Sequence, residues 1–149
     1  MGCDIHCFVE KKIDGKWEQI SGFKNAYYNE DIECFKTDAF KYATSPVEHR
    51  NYSMFAILAG VRNRKEHPVK PISEPKGLPT DISDDVDAEL AIWEGERHSC
   101  SWLTIKEISN YNGNKEGAKY LFGEALEQLK ERCNNKNLKD VRIIFCFDN

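Results

Sequence analysis

The run Val141-Arg142-Ile143-Ile144-Phe145-Cys146-Phe147 constrains this chain more than any other segment. Seven residues with Arg142 as their one polar interruption offer no solvent face, so they predict a strand covered on both sides and central in its sheet. The opening residues predict a second strand over 3–13. Cys3, Ile5, Cys7 and Val9 alternate with Asp4, His6, Phe8 and Glu10, the pattern of a half-buried strand. Asp14-Gly15 then turns the chain back into a third strand near 16–20.

Helices are expected between these strands. Phe55, Leu58 and Ala59 have helical spacing in Tyr52–Val61, with Gly60 near the end, and Pro68, Pro71, Pro75 and Pro79 enforce a loop after it. Ser83 caps the next helix, with Asp84 and Asp85 in its first turn and Val86, Leu90 and Trp93 as the inner stripe. Thr104 and Glu107 form a capping box, with Leu103 and Ile108 as its staple, for a short helix to about Asn110. The longest helix spans Lys115–Cys133, with Leu121, Phe122, Ala125, Leu126 and Leu129 inward. Residues 21–51 show scattered aromatics without a period and read as an irregular excursion with one short helix. Together these predict a single α+β domain over 1–149: a small antiparallel or mixed sheet, built from the N-terminal hairpin and the C-terminal strand, packed with about four helices.

Composition limits the function classes. The chain has 21 Lys plus Arg against 25 Asp plus Glu, so it lacks the positive balance that drives general nucleic-acid binding. No run approaches the ~20 apolar residues of a membrane span, and the N-terminus lacks a signal-peptide pattern. The expectation is a cytoplasmic protein. In such a compartment its six cysteines are expected to stay reduced, chiefly as small core residues. No CxxC pair, GxGxxG, P-loop, HExxH or GxSxG occurs.

Four groups of residues carry possible chemistry. Asp4 and His6 project from one strand face with Cα atoms ~6.6 Å apart, close enough for their tips to share an ion. His98-Ser99-Cys100-Ser101 precedes the Thr104 cap, in a position read as a loop leading into a helix N-terminus. There His98 can ligate a metal or transfer a proton, Ser99 can contact a substrate, and Ser99 or Ser101 can act as nucleophile if a base lies adjacent. Arg62-Asn63-Arg64-Lys65, with His67, Lys70 and Lys76 downstream, is the one basic neighbourhood, and an Arg fork suits phosphate. Asp148 comes near Asp4 if the last strand pairs antiparallel with the first, and lies at the opposite end if the pairing is parallel. Plain structural roles are open for each group: a polar surface pair, helix capping, dipole-compensating cations and a solvated terminus.

Gly2-Cys3-Asp4-Ile5-His6, Ala59-Gly60-Val61-Arg62-Asn63, Pro75-Lys76-Gly77-Leu78-Pro79, His98-Ser99-Cys100-Ser101-Trp102-Leu103-Thr104 and Phe145-Cys146-Phe147-Asp148-Asn149 occur in this order. This pattern resembles a family of small proteins of tailed bacteriophages and prophages. The resemblance spans almost the whole chain. It implies a phage-type accessory protein in a bacterial host and carries no particular activity.

Two function classes follow. One is a metal-assisted hydrolase of a phosphoester or nucleotide. In it Asp4, His6, His98 and Asp148 hold a divalent ion of unspecified identity, His98 and His6 act in catalysis, and Arg62, Asn63 and Ser99 bind substrate. The other is a non-catalytic module that binds a small nucleotide-like ligand or a host protein and so counters host defence. Oligomeric state is not readable from the residues.

Overall fold

The computed structural model describes residues 2–24, 42–47, 49–111, 115–133 and 137–149, with backbone alone over 115–122. Strand β1 (Asp4–Ile13) turns at Asp14-Gly15, with φ of 50° and 80°, into β2 (Lys16–Ile20). Two consecutive left-handed residues match the twist of a tight hairpin, which explains the Asp-Gly pair. The short strands β3 (Phe23–Lys24) and β4 (Tyr42–Ala43) pair with each other. The expected excursion with its short helix falls largely between them, at 25–41, outside the described residues, as do Cys34 and the side chains of Leu121 and Phe122.

Helix α1 (Tyr52–Ala59) starts at Asn51, whose side chain accepts from the Met54 amide, and ends at Gly60 with φ 73°. The left-handed cap returns the Gly60 N–H to the Ala56 carbonyl. Met54 through Ala59 are all buried, so this helix is enclosed rather than amphipathic. Helix α2 (Asp84–Ala91) begins at Ser83, which accepts from the Val86 amide, with Asp84, Asp85 and Asp87 in the first turn. Helix α3 (Ile105–Ser109) carries the full Thr104–Glu107 capping box. Helix α4 (Lys115–Glu131) ends earlier than expected and breaks its helical backbone at Gly123, where φ is 14° and ψ −105°.

The remaining strands are β5 (Arg97–Thr104) and β6 (Val141–Asp148). Sheet order is β2-β1-β6-β5, antiparallel throughout, so β6 is central as its composition requires. One face carries Cys3, Ile5, Cys7, Val9, Leu103, Ile143, Phe145 and Phe147 into the main core with α1, α3 and the end of α4. The other carries Phe8, Ile144 and Cys146 against Val86 and Leu90 of α2. The described residues thus form an α+β fold with helices on both faces of the sheet.

Three expectations need correction. The middle of the first strand is covered on both faces: Phe8 is buried and Glu10 is fully buried, because α2 and residues 81–83 close over the polar-looking side, while Asp4 stays exposed. His98–Ser101 is part of β5 and not a pre-helix loop. Its register shifts between His98 and Ser101, with Ser99 at φ 50°, and this bulge disguises the alternation. Cys100 and Cys146 are joined as a disulfide across β5 and β6, whereas Cys3, Cys7 and Cys133 keep their thiols. A sequence without an export pattern gives no sign of that bond.

At the far end of the second face, Glu10 meets Arg142, its register partner. Glu10 Oε1 accepts from Arg142 Nε and Nη2, both at 2.7 Å, and Oε2 accepts from the Ser83 amide at 2.7 Å. Arg142 Nη1 reaches Asp81 at 2.9 Å, and Trp17 lies 4.0 Å from the guanidinium carbon. This network ties β1, β6 and the entry to α2 together. Asp81 also accepts from Trp17 Nε1.

Candidate functional site

Antiparallel pairing brings the start of β1, the end of β6 and the start of β5 to one end of the sheet. Asp4 is in register with Asp148, and Asp148 with Arg97. The expected proximity of Asp4 and Asp148 is therefore present, but each carboxylate has its own partner. Arg50 clamps Asp4 through Nε at 2.8 Å and Nη2 at 2.9 Å. That bidentate bond holds the Asp4 carboxyl below its ordinary pKa. His6 Nε2 is hydrogen-bonded to Asp148 Oδ2. Its ring stacks on Trp93, with centroids 3.9 Å apart.

His98 stands elsewhere. It is in register with Phe147, which in turn pairs with Ile5 on the main-core face, whereas His6 belongs to the opposite face. Strand parity separates the two imidazoles. His98 Nδ1 lies 3.0 Å from Ser99 Oγ, and Nε2 lies 3.1 Å from Asn149 Oδ1. The four residues expected around one ion are thus arranged as Asp4 with Arg50, His6 with Asp148, and His98 with Ser99 and Asn149. Among the described residues no group of three or more His, Cys, Asp or Glu side chains is placed to hold a metal ion.

The basic neighbourhood forms a cavity of about 430 Å³ beside α1, lined by Tyr52, Ser53, Ala56, Ile57, Arg62, Asn63, Arg64, His67 and Val69. Arg62 follows the Gly60 cap with φ 55°, a conformation that L side chains rarely adopt. Its guanidinium carbon lies 5.4 Å from the Tyr52 ring centre, and the same group hydrogen-bonds the Cys3 thiol. Burial pushes that thiol upward, with Arg62 pulling it the other way. The Tyr52 hydroxyl accepts from the Cys3 amide at 3.0 Å. Cys3 therefore connects the cavity rim to the sheet end that carries Asp4 and Asp148. Asn63 is engaged at both ends of its amide: Nδ2 donates to the Val69 carbonyl at 2.8 Å, and Oδ1 accepts from the Val69 amide at 3.0 Å. It shapes the loop at the cavity wall.

Sequence reasoning named Asp4, His6, Arg62, Asn63, Arg64, His67, His98, Ser99, Asp148 and Asn149 but missed Arg50 and Tyr52. Arg50 directly precedes the Asn51 cap, and Tyr52 opens the helix, so capping rules masked both. Comparison with protein-family models, with curated proteins and with solved structures found no match.

Proposed function

We propose that this chain binds a small phosphate-bearing, nucleotide-like ligand in the cavity beside Tyr52, Arg62, Arg64 and His67, as a phage-type accessory protein. The observation that carries this reading is the cavity itself. Its size, about 430 Å³, lies in the usual range for small-molecule sites. It joins an apolar floor of Ala56, Ile57 and Val69 to two guanidinium groups and an imidazole. Arg forks match phosphate oxygens, and an aromatic face beside them suits a base. The chain's negative balance favours a small anion over a long nucleic acid, whose binding scales with the phosphates neutralised.

A second reading, hydrolysis of a phosphoester, is favoured by the His6–Asp148 pair. A carboxylate behind an imidazole orients the ring, as proton transfer requires. A divalent ion at this end would draw on the same two residues. One experiment separates the readings. AMP, ADP and ATP are incubated with the protein, with and without Mg²⁺ or Mn²⁺, and recovered after denaturation. Saturable binding with intact recovery supports the binding module; altered nucleotide that disappears in His6→Gln supports the hydrolase. No binding and no turnover would dismiss both.

A further inference from the structure

We infer that Ser99, His98 and Asn149 form a nucleophile, a base and an orienting group for acyl transfer from a small carboxylic ester. The trio shares no residue with the anion cavity and stands apart from the binding proposal. Ser99 sits in the β5 bulge at φ 50°, a strained position for a residue with a side chain. Bulges re-aim side chains, and here the hydroxyl is turned to within 3.0 Å of His98 Nδ1. The opposite ring nitrogen, Nε2, faces Asn149 Oδ1 at 3.1 Å.

Proton positions here depend on the His98 tautomer, and the one with hydrogen on Nε2 gives the Asn149 amide oxygen, an acceptor, its donor. A neutral imidazole then has its lone pair on Nδ1, and the Ser99 hydroxyl is the donor. The serine proton is therefore aimed at a base whose tautomer a third residue sets, the relation that activates a serine nucleophile. Phe147 stacks on the His98 ring at a centroid distance of 6.2 Å. Ser99 and His98 are both partly exposed, so a substrate reaches the hydroxyl.

Chemically, Ser99 Oγ attacks the ester carbonyl carbon as its proton passes to His98 Nδ1. The ester C–O bond breaks, and the imidazolium gives that proton to the departing alkoxide, which leaves as the alcohol. Water then attacks the acyl-serine, and its proton goes to Nδ1. The carboxylic acid departs as Oγ recovers the proton. The trio of hydroxyl, imidazole and amide carries no fixed charge, which suits an uncharged ester better than a phosphate monoester that calls for cations.

The test uses the full chain with a fluorophosphonate probe, read by peptide mass spectrometry, and p-nitrophenyl acetate as substrate. The expected result is a probe adduct on Ser99 and ester hydrolysis that both vanish in Ser99→Gly. Glycine accepts φ 50°, so this variant keeps its fold. His98→Gln should slow labelling by about 100-fold or more, the lower end of general-base effects. Asn149 is a positioning residue: Asn149→Ala should slow labelling, and Asn149→Asp, which retains an acceptor, should restore it. An unlabelled Ser99, or wild-type ester turnover in Ser99→Gly, overturns the assignment.

Discussion

Replacing Arg142 with leucine tests how the two-faced sheet is held. Arg142 is 2% exposed and Glu10 is fully buried. The substitution strips Glu10 Oε1 of both its 2.7 Å bonds and leaves Oε2 with the Ser83 amide alone. Removing one partner of a buried pair costs about 3–5 kcal/mol, because the other charge stays buried and uncompensated. The Asp81 arm adds at most about 1 kcal/mol, since that carboxylate is 62% exposed. The lost stack on Trp17, 4.0 Å away, contributes about 0.5–2 kcal/mol. These contributions overlap, so about 4 kcal/mol is the working figure. At ~2–4 °C per kcal/mol for a domain of this size, Tm should fall by about 8–16 °C. Urea unfolding gives the same quantity from the midpoint at constant slope. The double variant Glu10→Leu with Arg142→Leu should recover most of the loss, because an apolar pair removes the stranded charge. A loss below about 1 kcal/mol in the single variant, or a double variant as unstable as the sum of both singles, would refute this reasoning.

Acid should weaken the fold in a defined window. Arg50 lowers the Asp4 pKa by hydrogen bond and charge; for Asp81, burial pushes upward but Arg142 and Trp17 together outweigh it. Groups depressed in the folded state contribute stability above their unfolded pKa of about 3.9, and that contribution is lost as pH falls through their folded values. Melting scans below pH 4 should therefore fall less steeply in Asp4→Asn and Asp81→Asn than in wild type, and equal slopes would contradict the assignment. Cys100–Cys146 closes a loop of sequence separation 46, so reduction should cost up to about 4 kcal/mol on chain-entropy grounds. Differential scanning calorimetry with and without a thiol reductant measures this, and unchanged melting would count against the bond. Gly60→Ala places a Cβ in a left-handed residue and should cost about 1–2 kcal/mol by urea unfolding, with α1 intact by circular dichroism.

The parts of the fold that were legible share one property: a local pattern that a single interaction sets. The apolar run of β6 identified the central strand, Asp14-Gly15 the hairpin, and Thr104 with Glu107 the capping box. β5 was illegible because its bulge at Ser99 breaks the two-residue period and its polar start resembles a cap. The second covered face was illegible for another reason. Glu10 and Asp4 look alike in sequence, yet one pairs with a buried arginine and the other with an exposed one. Site residues could be named by type, but their grouping depended on strand parity across three strands. That parity set His6 and His98 on opposite sides, and no spacing within either segment encodes it.

The most direct measurement is calorimetric titration of AMP, ADP and ATP into wild-type protein and into Arg62→Gln. Losing a charge-assisted phosphate contact is worth about 1.5–3 kcal/mol, or roughly 10- to 150-fold in affinity. The binding account predicts saturable heat with wild type, a raised Tm at saturation, and at least about tenfold weaker binding in an Arg62→Gln protein that melts as wild type does without ligand. No saturable heat at millimolar nucleotide, or equal affinity in the two proteins, would contradict it.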